Sequence, residues 1–315
     1  MPNKISACRR AGKIPMSNLG IKAIGHLLVI FRPRRIGHGL RAWSFELMSI
    51  RVLMFGDIVG RIGRRAVTAV LPELKKKYKP DLTIGNVENL AHGVGVTPST
   101  IEEVRQAGID FFTSGNHIWD KPEVAVMFED KNLPLLRPAN YPSNVPGRGA
   151  ALVPISGNRQ ILIANLMGRV FMPQQFDCPF RALDAILEEY EGAPRAATIV
   201  DFHAEATSEK VAFGLYADGR VSAVLGTHTH VPTADAEVLP GGTAYVSDIG
   251  MVGAKGTVIG VDKKNILKKF LTQMPAAHEI PEHGVCAINA VCVTIDADTQ
   301  KAVGIERVYR EVEIL

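Results

Sequence analysis

The chain has 315 residues, 46% of them hydrophobic and 22% charged. That balance excludes a disordered chain, and the length can bury a sizeable core. The formal net charge of +4 is uneven: residues 1–47 carry nine Lys/Arg against Glu46 alone, which leaves the remainder mildly acidic and argues against a nucleic-acid groove as its main business.

Residues 1–47 show no helical or strand period, and no small-residue cleavage site follows their apolar stretch "LGIKAIGHLLVIF". Lys22 and His26 interrupt that stretch, which is too short and too polar to span a bilayer. Met48 opens "MSIRVLMFGD" just before the first strand-like run. We therefore expect a basic extension over 1–47, disordered or an over-called start, followed by one domain over 48–315. Cys8, Cys178, Cys286 and Cys292 form no CxxC pair and have no metal-ligand spacing, which points to a reduced, cytoplasmic protein.

From residue 51 apolar runs alternate with helical patterns. "RVLMFGD" reads as a strand buried on both faces. Val67, Val70, Leu71, Leu74 and Tyr78 then have helical spacing, with Pro72 predicting a kink or a late start. "DLTIGN" is a second strand. "TPSTIEEVRQAG" is a helix capped by Thr97 with Pro98, or by a Ser99–Glu102 box, and ended by Gly108. "IDFFTSGNH", 109–117, is a third strand, so the three pair in parallel through right-handed crossovers. Further strands are predicted over 160–164, 197–201 and 222–225, with helices over 181–190 and 208–216. The tail reads as two long strands around a turn at 296–300. The fold class is α/β.

In open α/β sheets ligands gather beyond the carboxyl ends of the strands. Here those ends carry Asp57, then Asn86, Glu88 and Asn89, then Asn116 and His117, then "DFHAE" with Asp201, His203 and Glu205, then "GTHTH" with His228 and His230. Each has an ordinary alternative: Asp57 could cap a helix, Asn86 and Asn89 could serve turns, and His203 could be a hydrogen-bonded core histidine. His117 could be a ligand or a proton donor. Jointly, the five ends converge on one rim of the sheet. A carboxylate can bridge two cations while imidazole and amide oxygen complete each shell, and such a pair hydrolyses phosphoesters. Asp57, Glu88, Asn89, Asn116, His203, His228 and His230 suit that role, and a donor set without thiolate suits iron, manganese or zinc. "GDIVGRIG" has G-x-x-x-G-x-x-G spacing rather than a dinucleotide fingerprint, and we read its glycines as letting the backbone approach a bound phosphate. His92, His278 and His283 read as ordinary surface residues. Loops 137–142 and 171–180 are expected to shape the substrate pocket.

"GD", "NVEN", "SGNH", "DFHAE" and "GTHTHVPTAD", with "RPANYP", "DCPF" and "SDIGMVG", resemble in their order the calcineurin-like metallophosphoesterases. More closely they resemble the YmdB-like branch, described as 2′,3′-cyclic-nucleotide 2′-phosphodiesterases. The resemblance covers 48–315 and implies a β-sandwich of two sheets flanked by helices. It implies two metal ions, iron first. Asp57, Glu88, Asn89 and His230 would hold one, and Glu88, Asn116, His203 and His228 the other, with His117 as proton donor. The superfamily opens with D-x-H where this chain has "DIV", so Val59 stands in place of a ligand histidine and Asn89 is implied to compensate. The implied substrate is a small cyclic nucleotide. The alternatives are a broad-specificity phosphodiesterase or phosphomonoesterase, and a regulatory metal-binding protein with RNA or protein partners. No membrane partner is expected, and a homo-oligomer is compatible with the sequence.

Overall fold

The computed structural model describes residues 49–315; the expectation for 1–47 and Cys8 lies outside them. β1 (Ser49–Asp57) is followed by α1 (Gly60–Tyr78), β2 (Leu82–Asn86), α2 (Pro98–Ala107), β3 (Phe111–Thr113) and the short α3 (Glu123–Met127). Then come β4 (Ala150–Ile155), β5 (Arg159–Met167), α4 (Pro179–Glu189), β6 (Ala197–His203), α5 (Thr207–Ala217) and β7 (Ala223–Thr227). The chain closes with β8 (Glu237–Val238), β9 (Ala244–Val246), β10 (Gly253–Ala254), α6 (Lys263–Thr272), β11 (Gly284–Asp296) and β12 (Ala302–Ile314).

These strands form two six-stranded sheets. One runs β10-β11-β1-β2-β3 with β12 beyond on β11, and the other runs β4-β5-β6-β7-β9-β8. Alternation along β1 explains the layering. Ile50, Val52 and Met54 face the second sheet, where Ile161, Ile163, Ile199 and Leu225 meet them. Leu53 and Phe55 face outward under Ile62, Val67, Leu71 and Leu74 of α1. On the second sheet Leu162, Val200 and Phe202 pack outward against Leu183 of α4 and Phe213 of α5. Strands covered on both faces must be apolar throughout, which is why these runs lack polar alternation.

α1 starts at Gly60 and runs unbroken through Pro72. Packing of its apolar face outweighs the roughly 3 kcal/mol that an interior proline costs. Thr97 caps α2 with Pro98 in its first turn, and the partner that closes the capping box is Thr100, not Glu102. β3 is shorter than its apolar run because Ser114 leaves the ladder: its N–H donates to Asn165 Oδ1 of β5 (2.9 Å) and its hydroxyl to the Leu136 carbonyl (2.7 Å). No helix among the described residues is long and apolar enough to cross a membrane.

β1, β2 and β3 run parallel, as do β5, β6, β7 and β9. The strand ends therefore do not share one sheet edge, as the chain order suggests. They belong to two sheets whose carboxyl edges meet, and the polar residues lie at that junction.

Candidate metal centre

Across the junction, Glu88 from the turn after β2 lies against His203 at the end of β6, with Oε1 3.1 Å from Nε2. The same Nε2 is 3.2 Å from Asn116 Oδ1 and 3.0 Å from His228 Nδ1. Glu88, His203 and His228 thus aim ligand atoms within 4.8 Å of one another. These three with Asn116 are the set that the family resemblance implies for one ion. Asp57 closes the other side, where its Oδ2 accepts the His228 N–H (3.1 Å).

Each imidazole is held by the nitrogen that faces away from this point. His203 Nδ1 meets Thr227 Oγ1 (2.9 Å), and that hydroxyl donates to Asp201 Oδ1 (2.6 Å). Since the hydroxyl proton is committed to Asp201, the threonine oxygen must accept from His203 Nδ1–H, which leaves Nε2 for the centre. His228 Nε2 lies 3.0 Å from Glu205 Oε2, which frees Nδ1. His230 Nδ1 donates to the Ile259 carbonyl (2.8 Å), which frees Nε2. Three tautomers are fixed by three acceptors, as outer partners of ligating histidines do. Asn86, considered as a ligand, is instead a brace: its amide N–H donates to Asp201 Oδ2 (3.0 Å) and to the Ser114 carbonyl (3.2 Å).

The turn that carries "HTH" is strained. His228 has φ 98° and His230 φ 65°, both in the left-handed region that side chains with a Cβ avoid. Asp248 holds it: Oδ2 accepts the Thr229 N–H (3.0 Å) and hydroxyl (2.8 Å). Buried Lys210 reaches the same oxygen and the Thr227 carbonyl, both at 2.7 Å.

The residues fit a cation. Asp57 and Glu88 are fully buried carboxylates, and buried carboxylates need a positive partner. Asp57 Oδ1 and Asn89 Oδ1 are buried and find no hydrogen-bond partner among the described residues. Asn89 commits its amide N–H to the Gly93 carbonyl (2.8 Å), so the free atom is an acceptor. The same carboxylates favour a charged imidazole between them. Burial alone would lower the His203 pKa, but Glu88, Asp57 and Asp201 around it push it up to about 9. Burial raises the Asp57 carboxyl, and burial together with His203 pulls His228 down to about 3.

His117 stands at the rim with its N–H donated to Glu88 Oε2 (3.0 Å) and its Nδ1 2.7 Å from Asp120 Oδ2. A cleft of about 390 Å³ opens here, lined on its polar side by Glu88, Asn89, His117, Glu205, His228 and His230. Its other side corrects three expectations. His278 is a cleft residue, not an ordinary surface one. Neither loop 137–142 nor loop 171–180 is among its lining: Arg137 donates to the Pro138 and Pro146 carbonyls, and Asn140 bonds both backbone groups of Met167, so both residues brace loops. The "GDIVGRIG" glycines serve packing. A Cβ on Gly56 would lie 1.8 Å from the Gly250 carbonyl oxygen, and one on Gly63 2.5 Å from that of Val252.

Asp120, Lys210 and Asp248 were not singled out in the sequence, and Glu205 was read at a strand end without a role of its own. Asp120 follows His117 by three, a spacing that could have marked it. Lys210 sits in an apolar helix with no such signal, and the Ile259 carbonyl carries none by nature.

A family model described as YmdB-like protein matches residues 53–308. The chain belongs to the YmdB-like family. Among YmdB-like relatives, a Bacillus subtilis protein named 2′,3′-cyclic-nucleotide 2′-phosphodiesterase is 46% identical over 82% of this chain and 96% of its own length. A solved structure of a hypothetical protein from Thermus thermophilus is 41% identical with TM-score 0.77, covering 83% of this chain and 99% of that one. Another, a Mycoplasma pneumoniae protein described as a novel phosphatase, is 35% identical with TM-score 0.78, covering 84% and 95%. The two-sheet α/β architecture is thus shared with these two solved structures.

Proposed function

We propose that this protein is a metal-dependent phosphodiesterase that opens 2′,3′-cyclic nucleotides to 3′-nucleotides. The observation that carries the proposal is the cluster of Glu88, Asn116, His203 and His228 at the sheet junction with the His117–Asp120 pair at its rim. The name of the 46% identical relative supplies the substrate class.

Asp57, Glu88, Asn89 and His230 would hold one ion, and Glu88, Asn116, His203 and His228 the second. We propose iron, with manganese and zinc compatible with the same nitrogen and oxygen donors. When bound, the ions supply Lewis acidity toward the phosphoryl oxygens and toward water. His117 Nδ1 lies 2.7 Å from Asp120 Oδ2, so in its charged form the proton on Nε2, away from Asp120, is the one that can be transferred. As water adds to phosphorus and the P–O2′ bond breaks, that Nε2 proton passes to O2′, leaving the phosphate on O3′, and the proton released by the attacking water restores the charged imidazole. Asp120 holds the ring orientation and stabilises the charged form through the transfer. The free cysteines Cys178, Cys286 and Cys292 agree with a reducing, cytoplasmic location.

Metal analysis of the purified protein, with turnover of 2′,3′-cAMP against 3′,5′-cAMP and a chromogenic diester, tests this reading. We expect bound transition metal and preference for the 2′,3′-cyclic substrate, with phosphorus NMR showing the 3′-nucleotide as product. Release of inorganic phosphate from monoesters at a higher rate would favour a phosphatase, the word used of the Mycoplasma pneumoniae structure.

A further inference from the structure

Half of the cleft takes no part in that reaction. Beside its polar lining, Val59, Val94, Ile259, Val261 and Ile280 contribute hydrocarbon, with His278 near them in sequence. These residues come from four separate segments of the chain, so the wall is assembled rather than an accident of one segment.

Two features show that it is built at a cost. Ile259 is a β-branched residue at φ 47°, a conformation such residues almost never adopt, and its side chain is 52% exposed. The strained backbone lets one residue act twice. Its carbonyl accepts from His230 Nδ1, and its side chain joins the cleft lining. Ile280 sits where two glycines leave room for it. A Cβ on Gly60 or on Gly93 would come within 2.8 Å of the Ile280 side chain, and both glycines have positive φ. Any residue but glycine there would push Ile280 out of place.

A cleft of about 390 Å³ is the size of a small-ligand pocket. Its lining joins charged, hydrogen-bonding side chains to aliphatic ones. A ligand complementary to both carries a phosphoester and a weakly polar group. We infer that the aliphatic wall is a nucleobase subsite, in which Val94, Ile259 and Ile280 bury a face of the base while the phosphodiester lies against the His117 side. This rests on the cyclic-nucleotide reading above. A wall with a single polar side chain recognises the base by buried area rather than by its edge pattern. All four bases are therefore accepted, purines ahead of pyrimidines because their faces are larger.

The test compares 2′,3′-cAMP with ethylene phosphate, the five-membered cyclic diester that lacks ribose and base, on the metal-loaded protein. Val94→Ser and Ile280→Ser, on different loops, should each lower the ratio of kcat/KM for 2′,3′-cAMP over ethylene phosphate about ten-fold, as expected when part of an aliphatic contact is lost. A parallel calorimetric titration measures Kd for adenosine 3′-monophosphate against inorganic phosphate, with the same fall expected in their ratio. An unchanged ratio in both variants overturns the subsite, as does a hundred-fold preference for one base. A loss equal for both substrates also overturns it, because the wall then acts only through the metal centre. If the wild-type protein turns over neither diester, the hydrolase reading fails, and the calorimetric ratio still decides the subsite.

Discussion

Replacing Gly115 by Ala is expected to empty the metal centre while leaving the fold in place. Gly115 is outside the left-handed region, so the backbone itself accepts alanine. The new methyl does not fit: a Cβ there would lie 2.3 Å from both Glu88 Oε2 and His203 Nε2, and 2.4 Å from His203 Cδ2. Carbon needs roughly 3.5 Å from such atoms, so each must retreat by about 1 Å. Both side chains are buried, with Thr227 behind His203 and the His117 N–H on Glu88, so moving either disturbs those hydrogen bonds. Overpacking of this kind costs about 1–3 kcal/mol in stability. That would lower Tm by roughly 2–4 °C per kcal/mol for a chain of this size. A ligand displaced by 1 Å loses far more, since disturbing even outer partners of a metal costs about 10–100-fold in affinity. Elemental analysis of the variant, beside circular dichroism and a melting curve, reads both effects. Full metal content with wild-type turnover would refute the placement of the centre between Glu88 and His203.

Glu88→Ala should remove both ions together, seen by elemental analysis; retention of one would deny it a bridging place. His117→Ala should lose about 10²–10⁴-fold in kcat with metal content intact, and Asp120→Asn should lose less but alter the pH profile. Asp248→Ala leaves Lys210 buried without its partner, which costs about 3–5 kcal/mol and should appear as a large fall in Tm with weakened metal retention. In the metal-free protein His203 titrates at about 9, above its unfolded value. Its contribution to stability is therefore fully present below about pH 6.5 and is lost as pH rises through 9. Melting of chelated protein should fall across that window, metal-loaded protein should resist it, and apparent metal affinity should weaken as pH falls because binding displaces the His203 proton.

Most buried strands and most helices were legible because apolar runs, caps and turn residues report local rules, but β4 and the buried β9 were not read as strands. β11 and β12 emerged from two long β-rich runs around a turn. α6 was not read either, and none of its residues is fully buried. β8 and β10 are two residues long, too short to carry a period. The candidate ligands could be picked out because they cluster at strand ends. Their supporters could not, because Glu205, Lys210 and the Ile259 carbonyl act through contacts 23 to 38 residues away in sequence. Polar residues at strand ends can be listed from one dimension, whereas the edge that each faces depends on how two sheets meet.

Val59 shows how the branch departs from the superfamily pattern without losing a donor. Where the D-x-H pattern has a ligand histidine, Val59 is fully buried and its N–H donates to the Val252 carbonyl (2.9 Å). Its side chain packs under Gly260: a Cβ on Gly260 would come 3.1 Å from Val59 Cγ1. That turn carries the Ile259 carbonyl to His230. An imidazole at 59 would extend beyond the valine volume into the same turn and disturb the acceptor that fixes the His230 tautomer. Asn89 meanwhile offers a buried oxygen with no partner among the described residues. Under the proposed ligand set the exchange moves one donor from the turn after β1 to the turn after β2, and position 59 becomes apolar support for the loop that holds His230.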